Sequence, residues 1–329
     1  MSFNILFLNV GRRCELVEAF RRSLEARGPH RIVGTDISPF APGLQVVDEA
    51  LILPRGDHPD FLPALNSLLR QQHIDLVIPT IDPDLVRLDK HRAEIEAAVP
   101  RARLLLSPSH AIAIARNKRL SRDVFMQAGL GVPRDLSADP ERVYPVFVKP
   151  PDGSASEGAA IVYDADDLSA RLARHPSLMI EEVVPGDEIT VDVLCDFSGK
   201  PICAVPRRRI KVRGGEVVQG VVELRTDLEV AARTAALAVR AAGPVTVQFR
   251  VSPGRVIAME LNARMGGGLP LAIAAGADWP GMIVDLCNGI VPATPQHLED
   301  GLVMTRADRS FFLTQAELKA VVARTYKSG

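Results

Sequence analysis

Two neighbouring segments in the C-terminal third of the chain most restrict its fold. Residues 247–250 read Val-Gln-Phe-Arg, and residues 258–268 read Ala-Met-Glu-Leu-Asn-Ala-Arg-Met-Gly-Gly-Gly. Both have the pattern of β-strands, in which side chains alternate between two faces. Glu260, Asn262 and Arg264 therefore share one face of the second strand. The opposite face carries Met259 and Leu261, which we expect to be core residues.

The shared face combines a carboxylate, an amide and a guanidinium, and the neighbouring strand presents Gln248. Such groups are costly to bury without partners. Hard oxygen ligands beside one fixed cation suit Mg²⁺ that bridges the oxygens of a polyphosphate. The pattern therefore predicts ATP chemistry.

The composition is that of a globular enzyme without nucleic-acid or membrane partners. The 329 residues suggest two or three domains, with 47% hydrophobic and 24% charged residues as in ordinary soluble proteins. A net charge of −1 and 5% aromatic residues supply neither a basic field nor a base-stacking surface. No apolar run is long enough for a membrane span, and the N-terminus lacks the charged and apolar regions of a signal peptide. The cysteines form no CxxC pair. We therefore expect a cytoplasmic protein without zinc or disulfides.

Strand and helix patterns divide the chain into successive regions. Residues 1–108 alternate strands and helices as in a parallel α/β domain, with a strand at Phe3–Leu8 and a helix over residues 83–98. Residues 109–142 are predicted to form a helical bridge, residues 143–187 a small β-rich unit, and residues 188–329 a larger sheet with helices.

Lys149 ends an apolar strand directly before residues 151–158, a loop rich in glycine and serine. A lysine there could reach a phosphate as a point charge, and the N–H groups of the loop could cover the phosphates. The loop lacks the GxxxxGK[ST] string of a Walker motif. Taken alone, this motif is more typical of a solvated turn.

Residues 178–193 form a second candidate segment. An apolar strand ends in Glu181 and Glu182, two valines and a Pro-Gly turn follow, and Glu188 opens the next strand. A hinge of this kind could offer backbone groups to an adenine and a carboxylate to ribose hydroxyls. A hairpin with acidic rims has the same pattern and is common.

Taken in order, these segments resemble the ATP-grasp superfamily. First come a helix that starts near Lys118, the strand that ends in Lys149 and the Gly/Ser loop. The hinge from Glu181 to Glu188 follows. Last come the strand with Gln248 and the strand with Glu260, Asn262 and Arg264. Within the superfamily the chain is most similar to one unit of the carbamoyl phosphate synthetase large subunit and its single-unit relatives. The resemblance covers nearly the whole chain, because residues 1–108 look like the pre-ATP-grasp domain of these enzymes.

The resemblance implies a fold, cofactors and residue roles. The fold would be α/β, and α+β in the ATP-grasp part, with a Rossmann-like domain at 1–108, a helical bridge at 109–142, a lid at 143–187 and a catalytic subdomain at 188–329. The cofactors would be ATP and Mg²⁺, which Mn²⁺ could replace. The groups that would contact ATP are Lys118, Lys149 and Ser154 at the phosphates, Glu181, Val183 and Val184 at the adenine, and Glu188 at the ribose. The metal ligands would be Glu260, Asn262 and Gln248, and Arg264 would stabilise the transferring phosphoryl group.

An enzyme of this type phosphorylates a small carboxylate to an acyl phosphate, from which an amine displaces phosphate, with ADP released. Two departures bear on the reaction. Gln248 stands where many such ligases have an acid, which weakens binding of a second metal at this position. The chain also has one ATP-grasp unit rather than two, which argues against synthesis of carbamoyl phosphate, a reaction with two phosphorylations.

Three further clusters could recognise the substrate. Arg207, Arg209, Lys211 and Arg213 would share one face by alternation, as a cationic wall led by Arg209 or as a charged edge strand. Gly266, Gly267 and Gly268 would allow close approach of a ligand. Arg12, Arg13 and Asp82 would lie at the mouth of the N-terminal sheet, where ligands of open α/β sheets bind, although the arginines are somewhat more typical of helix-start surface charge.

Two other functions remain open from the sequence. A nicotinamide-binding oxidoreductase would use Gly11 and Asp36, but it would need three glycines where the chain has one. A non-catalytic nucleotide-binding or regulatory subunit would have a broken metal or phosphate site, whereas all of these residues are present. We therefore expect an ATP-dependent carboxylate–amine ligase that acts on small carboxylic acids and amines such as amino acids, and a homodimer is consistent with this.

Overall fold

A computed structural model of the chain describes residues 2–153 and 157–326. These residues cluster into two compact units. The N-terminal unit contains Met1–Ser107 together with Gly276–Leu298 and Ala307–Gly329. The second unit, which we call the ATP-grasp unit after the resemblance of its sequence, contains Pro108–Ala275 and Glu299–Arg306. The range 188–329, expected as one subdomain, is therefore divided between the two units, and its assignment as a single catalytic subdomain does not describe the packing.

A parallel five-stranded sheet forms the centre of the N-terminal unit, with strand order β3-β2-β1-β4-β5. Its strands are β1 (Phe3–Leu8), β2 (His30–Asp36), β3 (Glu49–Ile52), β4 (Leu76–Pro79) and β5 (Arg103–Leu104). The strands are almost entirely buried and apolar, as is typical of sheets covered on both faces. The strand order reverses between β1 and β4, the position where open α/β sheets leave a crevice at their carboxyl edge.

Helices of the N-terminal unit connect these strands and include two from the C-terminal part of the chain. They are α1 (Cys14–Glu25), a short 3₁₀ helix (Pro42–Gln45), α2 (Phe61–Gln71), α3 (Asp82–Lys90), α4 (Arg92–Ala98), α10 (Trp279–Cys287) and α11 (Gln315–Ala323). The predicted single helix over 83–98 is wrong in one respect. It is interrupted at His91, whose backbone has φ −108° and ψ 13°, so that α3 ends and α4 begins there.

The ATP-grasp unit contains a small and a large antiparallel sheet. The small sheet has strand order β7-β6-β8 and consists of β6 (Val146–Lys149), β7 (Ala160–Val162) and β8 (Met179–Glu182). The large sheet has strand order β13-β12-β9-β10-β11-β14. Its strands are β9 (Asp187–Cys195), β10 (Pro201–Arg213), β11 (Glu216–Val222), β12 (Gly243–Ser252), β13 (Arg255–Asn262) and β14 (Val303–Thr305).

Helices of the ATP-grasp unit are α5 (Ser109–Arg116), α6 (Lys118–Gln127), α7 (Ala165–Arg174), α8 (Thr226–Ala238) and α9 (Leu269–Ala274). Asn117 caps α6, because its side chain accepts hydrogen bonds from the N–H groups of Arg119 and Leu120. This cap starts the helix at Lys118 and so fixes the position of that lysine. Among the described residues, no helix has the length and hydrophobicity that a bilayer crossing requires.

The strand that carries Glu260 contains a β-bulge. Gln248 pairs with Glu260, but the next residue of β12, Phe249, pairs with Ala258, so Met259 is left without a cross-strand partner. Leu261 is a core residue as predicted, with 1% exposure. The same prediction for Met259 is wrong, because the bulge leaves this side chain half-buried.

A buried carboxylate holds the loop that follows β1. Asp84, at the start of α3, is fully buried and accepts hydrogen bonds from Asn9 Nδ2 at 2.7 Å and Arg87 Nη1 at 3.0 Å. Asn9 has a left-handed backbone with φ 51°, and its carbonyl accepts a hydrogen bond from Thr80 Oγ1. The polar edge between β1 and β4 is therefore held by side chains of α3 and of the residue that follows β4.

Burial raises the pKa of Asp84 to about 6, with Asp36 adding to the rise, although the hydrogen bond from Asn9 and the charge of Arg87 lower it. The folded carboxyl group thus binds its proton more tightly than the unfolded one. Its contribution to stability is present in full below about pH 4 and is lost as the pH rises through about 6.

We expect the free energy of unfolding of the wild-type chain to fall by up to about 3 kcal/mol, relative to Asp84→Asn, between about pH 4 and pH 7. The physical reason is that only the wild-type chain carries this titrating carboxyl group. Urea unfolding of both proteins across this range would measure the effect. Glu96→Gln on the exposed side of α4 is the control for loss of one carboxylate. Parallel profiles for wild type and Asp84→Asn would contradict the assignment.

Candidate functional site

Polar side chains form two rows across the large sheet. On β9 they alternate with buried apolar residues, so that Glu188, Thr190 and Asp192 share one face. One row follows the pairing Glu260–Gln248–Thr190–Arg207 through β13, β12, β9 and β10. The other row pairs Asn262, Thr246 and Asp192. The residues predicted as metal ligands therefore lie at one end of a polar sheet face.

Carboxylate and amide oxygens lie together at the β13 end of this face. Asn262 Nδ2 donates a hydrogen bond to Glu260 Oε1 at 3.3 Å, and Gln248 is the cross-strand partner of Glu260. These donors fit Mg²⁺, which prefers oxygen ligands. Among the described residues, no group of three His, Cys, Asp or Glu side chains is placed to hold a metal. A cation at Glu260 and Asn262 would therefore share its coordination with ligand oxygens, as Mg²⁺ does when it binds with polyphosphates.

Lys118 is influenced by the charges of both Glu260 and Lys149. The pKa of Lys118 lies below its usual value, mainly because the side chain is partly buried. The positive charge of Lys149 also lowers it, whereas the negative charge of Glu260 raises it. These influences place Lys118 within electrostatic range of both side chains. Lys118 Nζ donates to the carbonyl of Gly153 at 3.0 Å, which brings the start of α6 to the loop after β6. Two cations and a carboxylate that approach each other at partly buried positions form a set suited to a polyphosphate and its cation.

Lys149 and Glu181 face each other across the small sheet. Lys149 Nζ lies 2.8 Å from Glu181 Oε2, and the side chains are only 8% and 1% exposed. Neither carboxylate oxygen of Glu181 accepts a hydrogen bond of acceptable geometry from the described residues. A buried acceptor without a donor is costly. The carboxylate of Glu181 therefore fits a ligand that brings an N–H donor, as the amino group of an adenine would.

The neighbouring Glu182 anchors the hinge. It accepts hydrogen bonds from the backbone N–H of Arg134 at 2.9 Å and from Arg255 Nη2 at 2.5 Å. Burial alone would raise the pKa of Glu182, but these hydrogen bonds and the charge of Arg255 lower it below its usual value. Glu182 is thus a structural link to β13, whereas Glu181 faces Lys149. Val183 and Val184 follow directly, with Val184 buried.

Arg209 and Glu188 form an ion pair on the sheet face. A second arginine, Arg250, lies 3.7 Å from Glu188, and Arg209 Nη2 also donates to the carbonyl of Gly215 at 2.8 Å. The predicted cationic surface on β10 is therefore partly neutralised at Arg209. Arg209 shares its charge with the acid that was predicted to bind ribose.

The predicted alternation of four cations along β10 is wrong beyond Arg209. The pairing of β10 with β11 shifts register between Arg209 and Lys211 and again between Lys211 and Val212. These irregularities interrupt the period of two, and Lys211 and Arg213 lie at the exposed end of the hairpin.

A buried ion pair was not identified from the sequence. Arg207 Nε donates to Asp192 Oδ2 at 2.6 Å, and the two side chains are 3% and 0% exposed. Thr246 lies beside them, with Oγ1 at 3.2 Å from Asp192 Oδ1. The signal was present in residues 188–193, Glu-Ile-Thr-Val-Asp-Val, whose strict alternation places Asp192 on the same face as Glu188.

The three glycines after Arg264 pack on this ion pair. A Cβ atom at Gly268 would overlap Arg207 Nη1, and one at Gly266 would lie 2.9 Å from Thr246 Oγ1. The carbonyl of Gly267 accepts a hydrogen bond from Arg306 Nη2 at 2.5 Å. Close packing against these side chains is therefore a reason for Gly266 and Gly268 that is independent of any ligand.

Other predicted site residues lie in the N-terminal unit or outside the described part of the chain. Arg12 pairs with Asp308 at 3.5 Å in a largely exposed contact, and Arg13 precedes α1. Asp82 is buried at the start of α3. Ser154, predicted to contact the phosphates, lies outside the described residues.

The residues needed by the oxidoreductase alternative are engaged otherwise. Asp36 Oδ2 accepts a hydrogen bond from the backbone N–H of Gly11 at 2.9 Å, and Oδ1 accepts one from the N–H of Ser38 at 3.0 Å. Both oxygens thus bind the protein's own backbone. This arrangement does not favour a role of Asp36 in holding a ribose.

Comparison with known families agrees with this geometry. Residues 174–309 match the family described as "ATP-grasp in the biosynthetic pathway with Ter operon", and residues 5–100 match "PylC-like, N-terminal domain". The first match assigns an ATP-grasp domain to residues 174–309. The predicted superfamily is therefore confirmed, as is an α/β fold with a parallel N-terminal sheet and antiparallel ATP-grasp lobes. The narrower likeness to carbamoyl phosphate synthetase stays a prediction.

The chain is also similar to curated ligases and to a solved structure. It is 39% identical over 85 residues to 3-methyl-D-ornithine–L-lysine ligase of Methanosarcina barkeri, covering 26% of this chain and 22% of the relative. Its identity to the Methanosarcina acetivorans ligase of that name is 29% over 162 residues, covering 49% and 42%. The match thus spans less than half the length of these relatives. A biotin carboxylase structure from Campylobacter jejuni matches with a TM-score of 0.71 and 18% identity, over 91% of this chain and 74% of that one, which shows a shared fold.

We expect removal of one charge from the Asp192–Arg207 pair to lower the free energy of unfolding by about 3–5 kcal/mol, because the other charge would remain buried without a partner. Urea unfolding of Asp192→Asn and Arg207→Met measures this loss. The double variant Asp192→Leu/Arg207→Met should recover much of it, since no buried charge remains. Arg171→Met, which opens an exposed pair with Asp167 in α7, is the control and should cost less than about 1 kcal/mol. Single variants as stable as this control would contradict the account.

Proposed function

We propose that this chain is an ATP-dependent carboxylate–amine ligase. It would phosphorylate a small carboxylate to an acyl phosphate and couple the acyl group to an amine, with release of ADP and phosphate. The observation that carries the proposal is the set of oxygen donors that Glu260, Asn262 and Gln248 bring together on neighbouring strands of an ATP-grasp fold, beside Lys118, whose pKa the charge of Glu260 raises. Phosphoryl transfer depends mainly on positioning and on neutralisation of charge, which such a set of side chains can supply.

The residues of the ATP-grasp unit divide the binding of MgATP among them. Glu260 and Asn262 would hold Mg²⁺ with Gln248 beside them, and the bound cation would neutralise charge on the phosphate oxygens. Mn²⁺ offers the same preference for oxygen ligands. Lys118 and Lys149 would bind the phosphates as point charges.

The nucleoside end of ATP would lie along the hinge. Glu181 would accept a hydrogen bond from the adenine amino group, which satisfies its buried carboxylate. The backbone of Val183 and Val184 would lie at the ring. Glu188 would contact the ribose from its position beside Arg209.

Arg264 would act on the group that is transferred. The predicted place of Arg264 on the strand is wrong, because β13 ends at Asn262 and Arg264 begins the turn that follows. Its guanidinium presents several donors in a rigid fork that matches phosphoryl or carboxylate oxygens. It would stabilise the charge on the transferring phosphoryl group and on the acyl phosphate. Arg209 would add positive charge to the same site, and its ion pair with Glu188 would reduce that contribution.

We further propose that the substrates are amino acids. The relatives named 3-methyl-D-ornithine–L-lysine ligase support this class of carboxylate and amine. As separate proposals, Arg12, Arg13 and Asp82 stay candidates for binding a substrate carboxylate, and the backbone N–H groups of Gly266–Gly268 stay candidates for binding an anion. A cytoplasmic location and a homodimer stay predictions.

The nature of the nucleotide product tests the proposed function. Incubation of the chain with MgATP and a pool of amino acids and small carboxylic acids should release ADP and phosphate, and the release should depend on both a carboxylate and an amine. Single omissions from the pool would then identify the two substrates. Release of AMP and pyrophosphate would mean adenylation and would overturn the proposed reaction.

Reversal of charge at the metal site provides a second test. We expect Glu260→Lys to abolish ADP release, because a lysine would repel the cation and remove its carboxylate ligand. The unfolding transition should persist, since Glu260 is only half-buried. Glu299→Lys, the same charge change at an exposed position of the ATP-grasp unit, is the matched control. Substrate-dependent ATP cleavage by Glu260→Lys would exclude Glu260 as a metal ligand.

A further inference from the structure

The turn that follows the metal-site strand lies on a buried polar network. The network consists of Asp192, Arg207 and Thr246, and the turn consists of residues 264–268. Thr246 Oγ1 lies 3.1 Å from the carbonyl oxygen of Arg264 and 3.2 Å from Asp192 Oδ1. Because a hydroxyl group has one proton, it is shared between these two acceptors. Thr246 thus links the backbone of Arg264 to the buried carboxylate.

The Asp192–Arg207 pair forms the rigid floor beneath the turn. Both side chains are almost fully buried, so neither charge can turn towards water without a large cost. A Cβ atom at Gly268 would overlap Arg207 Nη1, and one at Gly266 would lie 2.9 Å from Thr246 Oγ1 and 3.2 Å from Asp192 Oδ1. The height of the turn above the sheet is therefore set by the ion pair.

A second contact holds the turn from the C-terminal part of the ATP-grasp unit. Arg306, directly after β14, donates from Nη2 to the carbonyl of Gly267 at 2.5 Å and from Nη1 to the carbonyl of Val217 at 3.0 Å. Side chains from other strands and from Arg306 thus hold the carbonyls of Arg264 and Gly267, besides the bonds that the turn forms with itself and with the start of α9. Neither contact uses a side chain that we assign to ATP or metal.

We propose that Thr246, Asp192 and Arg207 are positioning residues that hold the backbone of Arg264 for phosphoryl transfer. This inference rests on the proposed function. Thr246 also pairs with Asn262 across the sheet, so it contacts the strand of the metal site and the turn that carries the arginine. Loss of its hydroxyl group should displace Arg264 while Glu260 and Asn262 keep their place on β13. The expected defect is in the rate of transfer rather than in the binding of MgATP.

Thr246→Val tests the proposal, because valine keeps the shape of threonine and removes the hydroxyl group. We expect kcat for substrate-dependent ADP release to fall by up to about 100-fold, with an unchanged KM for MgATP. Thr246→Ser should restore most of the rate. Thr234→Val is the matched control, since the Thr234 hydroxyl bonds only to a carbonyl of its own helix, that of Val230.

A binding measurement provides a readout that does not depend on turnover. MgADP should raise the melting temperature of wild type and Thr246→Val equally. Addition of aluminium fluoride, a stand-in for the transferring phosphoryl group, should raise it further in wild type and Thr246→Ser but not in Thr246→Val. A merely structural role of Thr246 would lower the melting temperature of the free protein and leave both ligand-induced rises intact.

The outcomes separate the two proposals. If the wild-type chain releases no ADP and MgADP does not raise its melting temperature, the proposed function fails, and this inference fails with it. If wild type shows the full response and Thr246→Val retains both kcat and the aluminium fluoride effect, the proposed function stands and the positioning role is wrong. If MgADP raises the melting temperature of wild type and aluminium fluoride does not raise it further, the role assigned to Arg264 and to the residues that hold its backbone is also contradicted.

Discussion

The large sheet of the ATP-grasp unit depends on one buried ion pair, Asp192 on β9 with Arg207 on β10. Neither side chain reaches water, so each charge requires the other. β9 lies between β10 and β12, and the pair is therefore surrounded by strands on both sides. From this position it contacts Thr246 and limits the residues after Arg264 to glycine at two places. Burial of these two charges is costly in itself, but it fixes the surface on which the turn of residues 264–268 packs.

The candidate site combines preformed positive charge with unsatisfied acceptors. The charges of Glu260 and Lys149 both act on Lys118, and Lys149 faces the buried carboxylate of Glu181, which accepts no hydrogen bond of acceptable geometry from the described residues. A nucleoside triphosphate carries negative charge at one end and an N–H donor at the other, so it complements both features. Side chains held in place before binding need little reorganisation during the reaction, which is the condition for electrostatic catalysis.

Local patterns in the sequence predict much of this arrangement. Alternation places Glu260 and Asn262 on one face of β13, and the strand-end position of Lys149 was also evident. The bulge at Met259 and the register shifts beyond Arg209 were not, because they depend on how neighbouring strands pair. The pairing of Glu188 with Arg209 likewise joins residues of different strands. Gly276–Leu298 and Ala307–Gly329 pack with the N-terminal unit, which no local pattern of these segments indicates.

The most direct test of the central claim follows a labelled oxygen atom. The carboxylate substrate identified by ADP release would be prepared with oxygen-18 in its carboxyl group and incubated with the chain, the amine and MgATP. An acyl phosphate intermediate transfers one carboxyl oxygen to phosphorus, so the account predicts labelled inorganic phosphate by phosphorus NMR. Unlabelled phosphate, or label found in AMP, would contradict formation of an acyl phosphate by this protein.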